Sequence, residues 1–367
     1  MKKILFLIHD LGHGGAEKVL VNLVNNMDPR QFDITVLSLF GGGVNEQFLK
    51  PHIRYRTVFP KSIPGNSHLM KLFSPKRLHK WFIREHYDIE VSYLEGPCAR
   101  IISGCEDPET KLLSWIHCTM HSPKEAALGF RSVKEAEAGY RQMNTIVFVS
   151  GAVRDAFLQN CPYPGRCEGL YNTNDSDRIL FLSQESAPLP VGAFLWCGVG
   201  KLADVKGFDR MIRIQSRLRQ AGFDSRLLIL GEGEERPKLE ALAVSEGVAD
   251  SVTFLGYQTN PYKYVSKCDL FVCASHSEGF STAATEALIV GTPVCTVEVS
   301  GMKEMLGEHN EWGIVTENDE EALYQGIKGL LEDPSRLAYY KEKAIERGKD
   351  FSTEETVRAV ENMLLSL

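Results

Sequence analysis

Two α/β domains, each wound about its own parallel sheet, are predicted by three observations. Short apolar runs without helical periodicity alternate with helical patterns along the chain. The alternation restarts after residue 190, beyond a polar, irregular stretch. Strand ends also run into glycine turns that open helices, as in doubly wound sheets. With 367 residues, 43% of them apolar, the chain is long enough to bury two cores.

The first set of strands reads as Lys3–Ile8, Ile34–Leu39, Ile89–Tyr93, Lys111–Ile116 and Thr145–Val149. The second reads as Ala193–Cys197, Arg226–Leu230, Val252–Leu255, Leu270–Cys273 and Pro293–Val297. Such runs are continuous because helices cover both faces of a parallel sheet. Between the sets, Tyr171–Pro190 carries Asn, Asp and Ser clusters and two late prolines, which marks a junction. The expected division is 1–170, a junction over 171–190, a second domain over 191–350, and a C-terminal helix over 351–367 packing back on the first domain.

A net charge of −7 argues against a general nucleic-acid binder. Residues 1–170 hold 21 Lys/Arg against 17 Asp/Glu, a net of +4, so the remainder carries −11. Only the first half is suited to an anionic surface. Nine cysteines, odd in number and without C-x-x-C or zinc-ligand spacing, point to a reducing compartment. The opening apolar run, Ile4–Ile8, is followed by His9-Asp10 and reads as a strand, not a leader. No apolar stretch approaches the roughly 20 residues that span a bilayer. A cytoplasmic protein, at most peripheral on the inner face of the plasma membrane, is the expectation.

The first strand ends in Leu11-Gly-His-Gly-Gly-Ala-Glu-Lys18, opening a helix to about Met27. It fails G-x-G-x-x-G, which needs glycine where Glu17 stands. Lys111–Ile116 leads into His117 at the carboxyl end of a strand. Leu69–Glu85 is basic and aromatic, with Lys71, Phe73, Lys76, Arg77, Lys80, Trp81, Phe82 and Arg84. Leu78, Trp81 and Phe82 share one helical face, either a core-facing stripe with a solvated basic back or a contact with an anionic membrane surface.

In the second half, Trp196–Gly207 places Lys201 and Lys206 in one turn, where two cations can clamp a diphosphate. The Walker pattern fails, since Leu202 replaces Ser/Thr. Gly231 and Gly233 end the next strand, and Gly256-Tyr257 the one after. Glu278 and Gly279 end Leu270–Cys273, so all these turns share one edge of the second sheet. Ser281 or Thr282 can cap a helix to about Val290. Its N-terminus suits a phosphate or a sugar hydroxyl. Glu278 in the turn and Glu286 in the helix can accept hydrogen bonds from sugar hydroxyls. The plainer alternative is that one complements the helix dipole and the other is solvated. A glycoside hydrolase pair is rejected: its carboxyls lie about 5–9.5 Å apart, whereas eight helical residues rise about 12 Å.

These pieces resemble the family-4 (group 1) retaining glycosyltransferases of the GT-B fold, two Rossmann-like domains with parallel sheets facing across a cleft. The match runs through Gly14-Gly15-Ala16-Glu17, His117, Gly200-Lys201-Leu202 and Lys206-Gly207. It continues with Gly231-Glu232-Gly233, Gly256, Glu278-Gly279-Phe280, Glu286-Ala287 and Gly291-x-Pro293-Val294. The resemblance implies that Lys201 and Lys206 neutralise the donor diphosphate and that Glu286 holds the nucleotide ribose. Glu278 and the amides of Gly279, Phe280, Ser281 and Thr282 would hold the donor sugar and distal phosphate, with Gly231, Gly233 and Tyr257 lining the donor. Gly14, Gly15 and His117 would face the reaction centre from the first domain. Two departures stand out. Lys201 replaces the usual arginine, so a bidentate contact becomes a point charge, and Asn172-Thr-Asn-Asp175 replaces an Asn-Gly-x-Asp turn.

The implied activity moves a sugar from a nucleotide-sugar donor, UDP-linked, to a hydroxyl of a glycan or lipid-linked acceptor in cell-surface polysaccharide or glycoconjugate synthesis. No cofactor or metal is expected, and no nucleic-acid partner. The alternatives are a sugar-nucleotide epimerase or hydrolase of the same fold, and a non-catalytic partner subunit.

Overall fold

A computed structural model describes residues 1–12, 14–61, 69–190 and 192–367. His13, within the first glycine turn, lies outside the described residues. The chain divides into two compact units, Met1–Asn174 with Thr353–Leu367, and Asp175–Ser352.

The first unit is built on β1 (Lys2–Ile8), β2 (Phe32–Phe40), β3 (Arg54–Phe59), β4 (Ile89–Ser92), β5 (Lys111–Ile116), β6 (Thr145–Phe148) and β7 (Arg166–Gly169). They pair in parallel in the order β3-β2-β1-β4-β5-β6-β7. Parallel neighbours need crossover connections, which is why helices alternate with strands. The helix Gly15–Asn26 follows β1 and buries Val19, Leu20, Leu23 and Val24, the apolar face of its repeat. The C-terminal helix Thr353–Leu365 belongs to this unit. Lys2 Nζ donates to the Leu364 carbonyl at 2.9 Å, and the Asp28 amide donates to Glu361 Oε1 at 2.6 Å.

The helix Pro75–Phe82 is capped by Ser74, whose Oγ accepts from the Arg77 amide. A partly buried ion pair anchors it: His79 Nε2 lies 2.7 Å from Oε2 of Glu90, a residue of β4. Burial opposes charge on the imidazole, but hydrogen bonds with Cys105 and Glu90 outweigh it and raise His79 to about 9. Of the three apolar residues on this helix, only Leu78 is fully buried. Trp81 is 45% exposed.

The second unit carries β8 (Phe194–Val199), β9 (Ser225–Leu230), β10 (Val252–Gly256), β11 (Leu270–Cys273), β12 (Val294–Val297) and β13 (Ile314–Thr316). Their parallel order is β10-β9-β8-β11-β12-β13. Trp196 sits at the centre of the core, its Nε1 donating to Gln215 Oε1 at 2.9 Å. Burying that N–H without a partner would be costly.

Three edge strands escape the sequence reading. β3 and β7 are half-exposed and charged, because each pairs on one side only, and β13 has three residues. The expected junction is also not irregular throughout. Asp175 caps a helix, Ser176–Ser183, that lies within the second unit. There Lys267 and Ser266 donate to the Ser183 carbonyl, and Asn260 to that of Leu182.

Candidate active site

In a doubly wound sheet the crevice for ligands opens where the strand order reverses, at the carboxyl ends of the strands. In the second unit that point falls between β8 and β11, which pair through Leu270 with Trp196 and Phe271 with Cys197. The turns after these two strands carry Lys201, Lys206 and Glu278.

A glycine brings them together. After β8 the chain forms a 3₁₀ turn, Asp204–Lys206, and then Gly207 with φ 65°, ψ 27°, a left-handed conformation that disfavours side chains. A Cβ on Gly207 would lie 2.1 Å from the Ala274 carbonyl oxygen, just beyond β11. Only glycine permits that approach, and the His276 amide closes it by donating to the Val205 carbonyl at 2.8 Å. Lys206 Nζ consequently reaches Glu278 Oε1 at 2.6 Å, and Ser275 Oγ donates to the same oxygen at 2.7 Å. The Glu278 side chain is 11% exposed and that of Lys206 30%. Lys201 is exposed, with no ion pair among the described residues. The two lysines share the turn but not a contact partner.

The turns after β9 and β10 lean on this one. A Cβ on Gly231, φ 143°, would fall 1.8 Å from the Gly200 carbonyl oxygen. The Gly231 amide donates to the Gly256 carbonyl at 2.9 Å, and the Leu202 amide to that of Glu232 at 2.9 Å. Gly233 packs against the backbone of Leu202. Tyr257 is 67% exposed at the end of β10.

The helix Thr282–Ile289 starts directly after Glu278-Gly279. Ser281 is its cap, Oγ accepting from the Ala284 amide at 3.4 Å, and Thr282 is its first residue. The dipole at its N-terminus makes an anion site possible there. Glu286 is not a solvated helix residue. It is buried, and its Oε1 accepts from the Tyr262 hydroxyl at 3.1 Å. The Phe280 ring is buried against Phe351, 5.9 Å between centroids, which leaves its backbone to the turn. An aromatic side chain beside a polar site gains more from the core than from the turn.

The remaining candidates lie in the first unit. Gly14 precedes the helix Gly15–Asn26 as its N-cap, with the Glu17 carboxylate folded over it. Burial pushes the Glu17 carboxyl up. His117 follows β5, and its amide donates to Glu95 Oε2 at 3.2 Å. Its ring packs 4.9 Å from that of Tyr93 and 6.4 Å from that of Trp115, and its Nε2 is buried without a partner. Burial pushes the imidazole down to about 3, against a backbone hydrogen bond with Tyr93 that favours charge.

Ser275, Tyr262 and Glu95 were not singled out from sequence. Ser275 could have been, as it stands three residues before Glu278. Tyr262 has no local signal, because it meets Glu286 across 24 residues. Among the described residues, one group of three could converge on a metal ion: His79, Glu90 and Cys105, in the first unit.

Residues 183–347 match the family described as glycosyl transferases group 1, and residues 13–178 match glycosyltransferase family 4. Over 376 aligned residues, with full coverage of both chains, the protein is 30% identical to an N-acetylgalactosamine-N,N'-diacetylbacillosaminyl-diphospho-undecaprenol 4-alpha-N-acetylgalactosaminyltransferase of Campylobacter jejuni. Among solved structures, the Anabaena protein HepE in complex with UDP aligns over both full chains at 20% identity and a TM-score of 0.78. A sucrose-phosphate synthase of Thermosynechococcus elongatus aligns over 100% of this chain and 99% of its own, at 18% identity and a TM-score of 0.79. These likenesses give the two units the GT-B fold.

Proposed function

The chain belongs to the family-4, group 1 glycosyltransferases, nucleotide-sugar-dependent enzymes, and on that premise we propose that it moves a hexose-type sugar, with retention, from a UDP-linked donor to a hydroxyl of a lipid-linked glycan. The observation that carries this reading is the meeting of Lys206, Glu278 and the N-terminus of the helix Thr282–Ile289 at the strand-order reversal. Cation and amides suit a diphosphate; the carboxylates suit hydroxyls on either side of it. The UDP in the solved Anabaena relative supports the donor nucleotide. The diphospho-undecaprenol named for the Campylobacter relative supports the acceptor class.

In this mechanism the acceptor oxygen forms a bond to the anomeric carbon as the bond from that carbon to the diphosphate oxygen breaks. UDP departs, and its leaving oxygen takes the acceptor proton on the same face of the sugar. Lys206, released from Glu278, stabilises charge on the departing diphosphate, and Lys201 supports it. Glu278 holds donor-sugar hydroxyls and Glu286, oriented by Tyr262, holds the ribose. Gly279, Ser281 and Thr282 bind the distal phosphate through backbone amides, and Gly231, Gly233 and Tyr257 line the donor. From the first unit, neutral His117, whose buried Nε2 has no partner, and the turn of Gly14 and Gly15 are assigned to the acceptor side. No cofactor or metal is required.

The enzyme works at the inner face of the plasma membrane, where the basic side of the helix Pro75–Phe82 lies on anionic headgroups. No helix among the described residues is long and apolar enough to cross a membrane.

The test is a thermal-shift screen of nucleotide sugars, followed by release of nucleotide with and without a lipid-linked glycan. Stabilisation by a UDP-sugar and acceptor-dependent release are expected. Release that ignores the acceptor would indicate the hydrolase, and a donor re-isolated as its epimer would indicate the epimerase.

A further inference from the structure

We propose that His79, Glu90 and Cys105 form a metal site that takes Zn²⁺ and ties the helix Pro75–Phe82 to the first sheet. One ligand atom from each of the three lies within 4.8 Å of the others. Imidazole, carboxylate and thiolate are all zinc donors, and a site with nitrogen and sulfur disfavours Mg²⁺ and Ca²⁺.

Each ligand comes from a different, firmly placed piece of backbone. Glu90 pairs with Leu5 of β1 on one side and Leu112 of β5 on the other, and its side chain is 3% exposed. His79 stands in the last turn of its helix, on the face it shares with Lys76 and Lys80. Cys105 follows the helix Pro97–Ile102, its amide donating to the Ile102 carbonyl at 3.1 Å. A glycine brings that segment in. A Cβ on Gly104 would fall 2.2 Å from the Pro75 carbonyl oxygen, so a larger residue would push the segment off the helix. Lys76 Nζ closes the contact on Glu106 Oε1 at 2.6 Å, and Lys80 also acts on Glu106. Both lysines therefore have a carboxylate of their own outside the cluster.

A buried carboxylate needs one counter-charge, and His79 supplies it. Cys105 is what that pair leaves unexplained. A thiol is a weak hydrogen-bonding group, but a thiolate is a strong zinc ligand. As the ion binds, imidazolium and thiol each release a proton to solvent, so its two charges replace two protons and the cluster stays neutral. Bonds of about 2.0 Å set tetrahedral nitrogen and oxygen about 3.3 Å apart, so the 2.7 Å pair has only to open by a side-chain adjustment. Water takes the fourth position. None of the three residues is assigned to donor or acceptor, so the ion is a clip and turnover survives its loss.

Calorimetric titration of the chelator-stripped full chain with Zn²⁺ tests the site. A single ion should bind, with protons released to the buffer and a higher melting temperature, and Mg²⁺ should do neither. Co²⁺ should produce a thiolate-to-metal charge-transfer band in the near ultraviolet. Cys105→Ser leaves the His79–Glu90 pair in place and should keep the far-UV circular dichroism of the wild type. It should abolish the band and weaken zinc binding by at least the roughly 10–100-fold that losing an outer-shell partner costs. His79→Gln should weaken binding likewise. Absence of binding, or a zinc affinity that either variant leaves unchanged, overturns the proposal. So does a cobalt band that persists in Cys105→Ser, which would place the ion on another cysteine.

Discussion

Lys206 and Glu278 are 72 residues apart in the chain and joined by a 2.6 Å ion pair. The proposed diphosphate cation thus pairs with the carboxylate proposed for the donor sugar. Donor binding must exchange that partner for phosphate.

Lys206→Ala is expected to lower turnover by roughly 10²–10³, the size of one preorganised charge-stabilising donor. Lys201→Ala should fall in the same range. Steady-state nucleotide release checks both, with far-UV circular dichroism unchanged. A Lys201/Lys206 double variant with full activity would remove the diphosphate assignment.

Gly207→Ala tests how the site is assembled. The added methyl would stand 2.1 Å from the Ala274 carbonyl oxygen at a left-handed φ of 65°. Loss of about 1–3 kcal/mol in stability is expected from the strain, together with weaker UDP binding as Lys206 moves from Glu278. Urea unfolding and calorimetric titration with UDP give the two numbers. An unchanged protein would mean that the turn does not set the Lys206 position.

Half-buried His79 and buried His117 predict opposite pH limbs. His79 is raised to about 9 from a free value of 6.5, so its contribution is fully present below the free value and is lost as pH climbs towards the folded one. His117 is lowered to about 3, so its contribution is present above the free value and is lost as pH falls. Melting curves across pH should show His79→Gln approaching wild type on the alkaline side and His117→Ala approaching it on the acid side. Parallel curves would refute both assignments.

Excess EDTA is expected to leave most of the turnover in place, because cations and helix amides are assigned to the diphosphate. Complete loss of nucleotide release, restored by Mg²⁺ or Mn²⁺, would give that role to a metal ion.

Product stereochemistry tests the retaining mechanism. The anomeric proton signal of the product should show the donor's configuration, and His117→Ala should slow transfer without abolishing it. A histidine whose charged form is disfavoured by burial makes a poor general base. An inverted product would promote His117 to that role.

The sequence by itself determined the repeated α/β winding, the interior strands and the Ser281 cap, because these follow from local periodicity and single-residue conformational preferences. It also set the glycine turns on one edge of the second sheet, since strand order in a parallel sheet leaves every carboxyl end on the same side. Tertiary structure decided what those turns do. β3, β7 and β13 became strands because a neighbour supplied their hydrogen bonds, although their own patterns are polar or short. Phe280 turned inward to Phe351, while Trp81 was left at the surface. Tyr262 reached Glu286, and Lys206 reached Glu278, only through approaches that no local spacing encodes. The proton affinity of His117 was likewise set by the aromatic rings enclosing it, since desolvation depends on what surrounds a group in space rather than on its neighbours in sequence.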